Sequence, residues 1–169
     1  VKAQPHSVEI ASFVRADRVP ALADADVLCD ALWHQPWALE ARDKGTRFAG
    51  LVLNQRGFDR FARARLDTVC VAVSATEAFS QANAGMTFEK ALASTVDLIR
   101  TGRDEGYTVR GYISMAFGCP FEGATDPKRV LACVSAMANG GCDVILPSDT
   151  IGIARPEQVV SLVGGLLEA

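Results

Sequence analysis

The chain has 169 residues, a formal net charge of −3 and 49% apolar residues, enough for one domain with a real hydrophobic core. With 22% charged residues and a pI near 5.4 it is not basic enough to invite nucleic acid, and no apolar run approaches the ~20 residues of a membrane helix. A closed eight-stranded α/β barrel takes ~250 residues. With Val1 first and candidate strand residues beginning by Val8, the expectation is an interior stretch of something longer.

Strand-like and helix-like stretches alternate along the chain. Val8–Val14 predicts the first strand and Ala21–Trp33 the first helical stretch, which Pro36 is expected to break. Phe48–Asn54 predicts the second strand, followed by a short helix from Gly57 to Arg65. Thr68–Ser74 predicts the third strand and Phe88–Arg103 its helix, with Thr87 as cap and Gly106 as stop. Val109–Met115 predicts the fourth strand. Its helix opens at Asp126-Pro127, a cap followed by proline at the first helical position, and closes at Gly140-Gly141. Asp143–Leu146 predicts the fifth strand and Pro156–Leu167 the last helix. Five strands each followed by a helix imply parallel β-α units with right-handed crossovers.

The two-residue period of the strands separates a barrel from an open doubly wound sheet. Val69, Val71 and Val73 share one face, opposite Thr68, Cys70, Ala72 and Ser74. Val109, Gly111, Ile113 and Met115 lie opposite Arg110, Tyr112 and Ser114. One face is thus greasy enough for helices and the other small or polar. A doubly wound sheet is covered on both faces and gives near-continuous apolar runs. The alternation favours a barrel, and no G-x-G-x-x-G follows the first strand to support a dinucleotide fold.

The five cysteines (Cys29, Cys70, Cys119, Cys133 and Cys142) form no C-x-x-C pair, and His6 and His34 are the two histidines. That disfavours disulfide frameworks and zinc modules, makes Cys70 and Cys133 small buried hydrophobes, and fits a reducing cytoplasm. In a barrel the site lies at the C-terminal strand ends, where Ser12, Asn54, Ser74, Ser114 and Asp149 fall. Glu9, a carboxylate inside an apolar strand, has to be paired or functional. Glu9 and Arg110 serve equally well as structural ion partners in a lumen. His34, beside Trp33 and Trp37, reads as a packing residue, and His6 has no identifiable partner. Arg60, Arg63, Arg65, Arg100 and Arg103 read as a solvated helix face, whereas Arg15, Arg18 and Arg155 follow strand ends and could meet an anionic substrate.

The run Val8-Glu9-Ile10-Ala11-Ser12-Phe13-Val14, with Val19-Pro20 and Ala23-Asp24, resembles the second-strand region of hydroxymethylglutaryl-CoA lyases. So do Asn54-Gln55-Arg56-Gly57-Phe58 and Ser74-Ala75-Thr76-Glu77-Ala78-Phe79 with Asn83. Most specific is Val109-Arg110-Gly111-Tyr112-Ile113-Ser114 running into Phe117-Gly118-Cys119-Pro120-Phe121-Glu122-Gly123, and Asp149-Thr150-Ile151-Gly152 with Pro156 closes the match. Asp-Thr-Ile-Gly alone would point only to the wider superfamily with isopropylmalate and citramalate synthases.

The resemblance implies the central part, 1–169, of one pyruvate-carboxyltransferase-like TIM (β/α)8 barrel, about five β-α units from the second to the sixth strand. It implies retro-Claisen cleavage of 3-hydroxy-3-methylglutaryl-CoA to acetyl-CoA and acetoacetate. It further implies a divalent metal (Mg or Mn), an acyl-CoA substrate, and no nucleic-acid or membrane partner. A dimer is expected of the complete protein, in a cytoplasmic, bacterial setting. Glu9, Asp149 and Arg110 match catalytic positions, and Tyr112, Ser12, Asn54 and Ser74 substrate-binding ones. The family's first-strand Asp-x-x-Arg-Asp-Gly-like motif, seventh-strand His-x-His and late Gly-Gly-Cys-Pro loop have no counterpart here. No metal ligand is therefore expected in this chain, and the isolated piece is expected to be inactive. Cys119 matches the family's other, non-catalytic cysteine loop. Leu146-Pro147-Ser148 stands before Asp149 where relatives often have a glycine. Two alternatives stay open: a condensing enzyme or aldolase acting on a 2-oxo acid, and a non-catalytic binding or assembly module.

Overall fold

Five strands alternate with helices along residues 4–168, the part that the computed structural model describes. In chain order they are β1 (Ser7–Ser12), α1 (Ala25–Leu32), α2 (Pro36–Asp43), β2 (Arg47–Val52), α3 (Gln55–Arg63), β3 (Thr68–Ser74), α4 (Glu77–Ala84), α5 (Phe88–Asp104), β4 (Thr108–Ser114), α6 (Pro127–Asn139), β5 (Val144–Pro147) and α7 (Pro156–Leu167). The strands pair in parallel in the order β1-β2-β3-β4-β5. With right-handed crossovers, a sequential parallel order returns every helix to the same side of the sheet. That is the wall of an α/β barrel, since a doubly wound sheet reverses direction about its first strand. The fold is a partial TIM barrel.

Local chemistry sets the helix starts. The Asn54 side chain accepts from the Gly57 N–H at 2.9 Å, Thr87 accepts from Lys90 N–H at 3.4 Å, and Asp126 accepts from Lys128 N–H at 2.9 Å with Pro127 following. Pro36 does not break a helix. It opens α2 from the first helical position, where its missing N–H costs nothing. The predicted Ala21–Trp33 stretch is a 3-10 turn at Pro20–Leu22 followed by α1, and α4 is a helix additional to those predicted. Strands β1 and β2 end two residues earlier than expected, at Ser12 and Val52.

The core lies between sheet and helices. Val69, Val71, Val73, Val109 and Ile113 are buried against Phe58, Phe61, Ile99, Val130 and Met137. Phe13, Phe58, Phe61 and Tyr107 pack mostly edge to face, with centroids 5.1–6.1 Å apart. At Gly57 a methyl group would lie 2.5 Å from the Phe13 carbonyl oxygen, so only glycine lets the start of α3 press onto the backbone leaving β1. His34 is not a packing residue. It is exposed, with Nδ1 2.8 Å from the Asp30 carbonyl, while Trp33 is buried and donates its indole N–H to the Ala64 carbonyl at 2.8 Å. Among the described residues no helix is long and apolar enough to cross a membrane.

Candidate active site

Alternation along β4 puts Arg110 and Tyr112 on the face away from the helices, half-buried, while Val109, Gly111 and Ile113 are buried toward them. The register brings Cys70 opposite Arg110 and Ala72 opposite Tyr112 on β3. The decisive contact crosses the sheet: the Tyr112 hydroxyl donates to Glu9 Oε2 at 2.8 Å and lies 3.9 Å from Cys70 Sγ. Glu9 is on β1 and Tyr112 on β4, three strand spacings apart, so a flat sheet would hold them about 14 Å apart. The hydrogen bond exists because the sheet curls, and it marks the concave face as the lumen. Glu9, Arg110 and Tyr112 are thus brought together, and the strand carboxylate does have a partner.

The electrostatics fix the protonation of Tyr112, Arg110 and Cys70. Burial raises the Tyr112 phenol above its ordinary value, with nearby Arg110 opposing the rise and the hydrogen bond to Glu9 adding to it, which keeps it a neutral donor. Burial works against the Arg110 charge, but the neighbouring Tyr112, Cys70 and Glu9 raise its pKa overall. Burial, with Glu9 adding to it, pushes the Cys70 thiol up to about 12. This constellation can place a cation and a neutral hydroxyl donor on one substrate oxygen, next to a carboxylate.

The remaining candidates hold the rim. Ser12 ends β1, half-buried. Asn54 spends its carbonyl on the α3 cap. Ser74 is buried; its Oγ accepts from the Thr76 N–H at 3.1 Å, and Thr76 Oγ1 donates to Cys119 Sγ at 3.3 Å. Ser114 donates to the Val73 carbonyl at 3.2 Å. Asp149 lies just beyond β5, and its two oxygens accept from the Ile153 and Ala154 N–H groups at 3.0 and 2.9 Å, so it shapes the loop into α7. The neighbouring Met115 was missed. It is buried with a left-handed φ of 59°, held by its N–H donating to Thr150 Oγ1 at 2.8 Å and by Thr125 Oγ1 donating to its carbonyl at 2.6 Å. No residue type announces such a backbone. The two threonines over-determine it and tie the end of β4 to the Asp149 loop.

Comparison with known proteins fits this geometry. A family model described as HMGL-like matches residues 41–169. The chain belongs to the HMGL-like family. It is 34% identical over 163 residues to the (R)-citramalyl-CoA lyase of Chloroflexus aurantiacus, covering 95% of this chain and 51% of that one. It is 31% identical over 155 residues to the hydroxymethylglutaryl-CoA lyase of Pseudomonas mevalonii, covering 92% and 49%. The crystal structure of the Bacillus subtilis HMG-CoA lyase superposes with a TM-score of 0.89 at 28% identity, covering 99% of this chain and 53% of that one. This HMGL-like chain therefore spans about half the length of these relatives. Among its described residues no group of three or more His, Cys, Asp or Glu side chains is placed to hold a metal ion. These residues alone do not fit the divalent ion that the resemblance implies.

Proposed function

We propose that this chain supplies the second to sixth β-α units of a barrel lyase that cleaves 3-hydroxy-3-methylglutaryl-CoA to acetyl-CoA and acetoacetate. The reading is carried by the Glu9–Tyr112–Arg110 cluster on the concave face, with the 2.8 Å hydrogen bond at its centre. In the reaction the tertiary hydroxyl loses its proton and the C2–C3 bond breaks. C3 becomes the ketone of acetoacetate, and the electron pair moves to C2 as a thioester enolate that takes up a proton. Glu9 accepts the hydroxyl proton, the Tyr112 hydroxyl turns its one proton from Glu9 to the oxygen that gathers charge, and Arg110 offsets that charge. Asp149 positions the loop at the mouth through its two backbone hydrogen bonds, and Ser12, Asn54 and Ser74 shape the rim that receives the substrate.

The test is Arg110→Gln in the complete enzyme, assayed with Mg2+ or Mn2+ for acetoacetate release. Turnover is expected to fall by at least about 100-fold, the scale of losing a preorganised charge partner; an unchanged rate removes Arg110 from the reaction. A second reading keeps the chemistry and changes the acyl group, because one relative at 34% identity is a citramalyl-CoA lyase. Comparing kcat/KM for (R)-citramalyl-CoA and 3-hydroxy-3-methylglutaryl-CoA separates the two.

A further inference from the structure

Beside the lumen mouth lies a second feature that the reaction chemistry does not use. A cavity of about 440 Å³ sits between the segment leaving β1 and the start of α3, and its charged lining is Arg15, Arg56 and Arg60 against one carboxylate, Asp17. We infer that this pocket binds the phosphate groups of the substrate's carrier arm through Arg15, Arg56 and the first turn of α3, with Arg60 as the fixed wall. The inference rests on the acyl-CoA reading for its ligand, and on the arginines alone for its anion selectivity.

The three arginines differ in how they are held. Arg60 is anchored: it bridges Asp26 at 2.7 Å, donates to the Val14 carbonyl at 3.0 Å and stacks over the Phe13 ring. It thereby fixes the β1 exit against α3. Arg56 is exposed and makes no ion pair among the described residues. Arg15 is held by Asp17 at 2.6 Å, both side chains being 62% exposed, an arrangement an arriving phosphate can displace because an exposed pair is weak. Asn54 satisfies the Gly57 N–H, and the earlier N–H groups of the helix start remain for an anion. The contact of Gly57 with the Phe13 carbonyl locks this helix start over the β1 exit, so the cavity is built by packing rather than by loop drift. Both of its edges lie at the C-terminal ends of strands, the end where the lumen cluster opens, so an arm seated here reaches the lumen with its acyl end. Two forked guanidiniums suit paired phosphate oxygens better than a single carboxylate does.

The experiment is calorimetric titration of the full chain with coenzyme A, pantetheine and inorganic pyrophosphate, repeated for Arg15→Gln with Arg56→Gln and for Asp17→Asn. Coenzyme A and pyrophosphate are expected to lose at least about tenfold in affinity in the double variant, pantetheine to be unaffected, and both anions to bind about two- to threefold tighter to Asp17→Asn. Coenzyme A binding that is unchanged in all variants overturns the pocket and leaves the lyase reading standing. Pyrophosphate binding that depends on the arginines, without any coenzyme A binding, upholds the anion pocket and overturns the acyl-CoA reading. Absence of binding by either overturns the inference.

Discussion

The two faces of β4 show how one seven-residue strand carries two unrelated duties. Toward the helices Val109, Gly111 and Ile113 are buried, and a methyl group on Gly111 would lie 2.1 Å from the Met137 side chain. Toward the lumen Arg110, Tyr112 and Ser114 are only half-buried, and Tyr112 makes its polar contact with a strand at the far edge of the sheet. The β5 residues beside them on that face, Val144 and Leu146, are 43% and 38% exposed. Packing is therefore one-sided. Residues one position apart answer to different constraints, and substitutions on the two faces can be told apart by what they damage.

The largest expected effect belongs to the packed face. Ile113→Ala removes a fully buried side chain and is expected to cost about 2–5 kcal/mol of folding stability, read from the urea midpoint. A loss below about 1 kcal/mol would mean that the helix side is not tightly packed and that the contrast is false.

A smaller effect comes from alkali and probes both faces at once. Cys133 faces the core from α6 and Cys70 lies in the lumen layer; burial pushes each thiol from 9.0 up to about 12. In the unfolded chain these thiols ionise near 9.0, whereas in the folded protein they stay protonated to about 12. The folded state thus holds more protons through that window. The stability due to each thiol is fully present below pH 9.0 and is lost as pH rises toward about 12, by about 1.4 kcal/mol per pH unit at most. Urea midpoints at a series of pH values above 9 should fall in step with this. Cys133→Ala and Cys70→Ala should each flatten the slope. Glu9→Gln should flatten only the Cys70 share, because Glu9 raises that thiol and not Cys133.

Much of the packed face was readable from periodicity alone. Thr68–Ser74 and Pro156–Leu167 have their predicted bounds, and Asp126-Pro127 starts α6, because local capping and a two-residue alternation suffice to specify them. Helix α4 escaped notice because Glu77–Ala84 is short and weakly amphipathic, and its Thr76 cap makes no side-chain hydrogen bond to the helix start. Pro36 misled because a proline that ends one helix and one that begins another look alike in sequence. On the lumen face, Glu9 was visible as a charge needing a partner, but that partner lies 103 residues away and is delivered by sheet curvature. Arg60 read as a solvated helix residue, yet it binds Asp26 and the Val14 carbonyl, since the helix face that meets β1 is decided by tertiary packing.

The smallest expected change in stability is the sharpest test of the two faces. Tyr112→Phe keeps the ring in place and deletes only the hydroxyl that donates to Glu9. Glu9 is exposed, so water can replace the lost donor, and the cost to folding should stay within about 1 kcal/mol. Turnover in the complete enzyme should instead fall by about 10²-fold or more, because the oxygen that gathers charge loses a positioned neutral donor. Measuring both quantities on one variant matters, since either alone has an innocent explanation. A Tyr112→Phe protein destabilised as severely as Ile113→Ala yet turning over normally would exchange the roles assigned to the two faces of β4. A protein that keeps its stability and loses its rate would show that the lumen side of the strand was shaped by chemistry, at little expense to the core behind it.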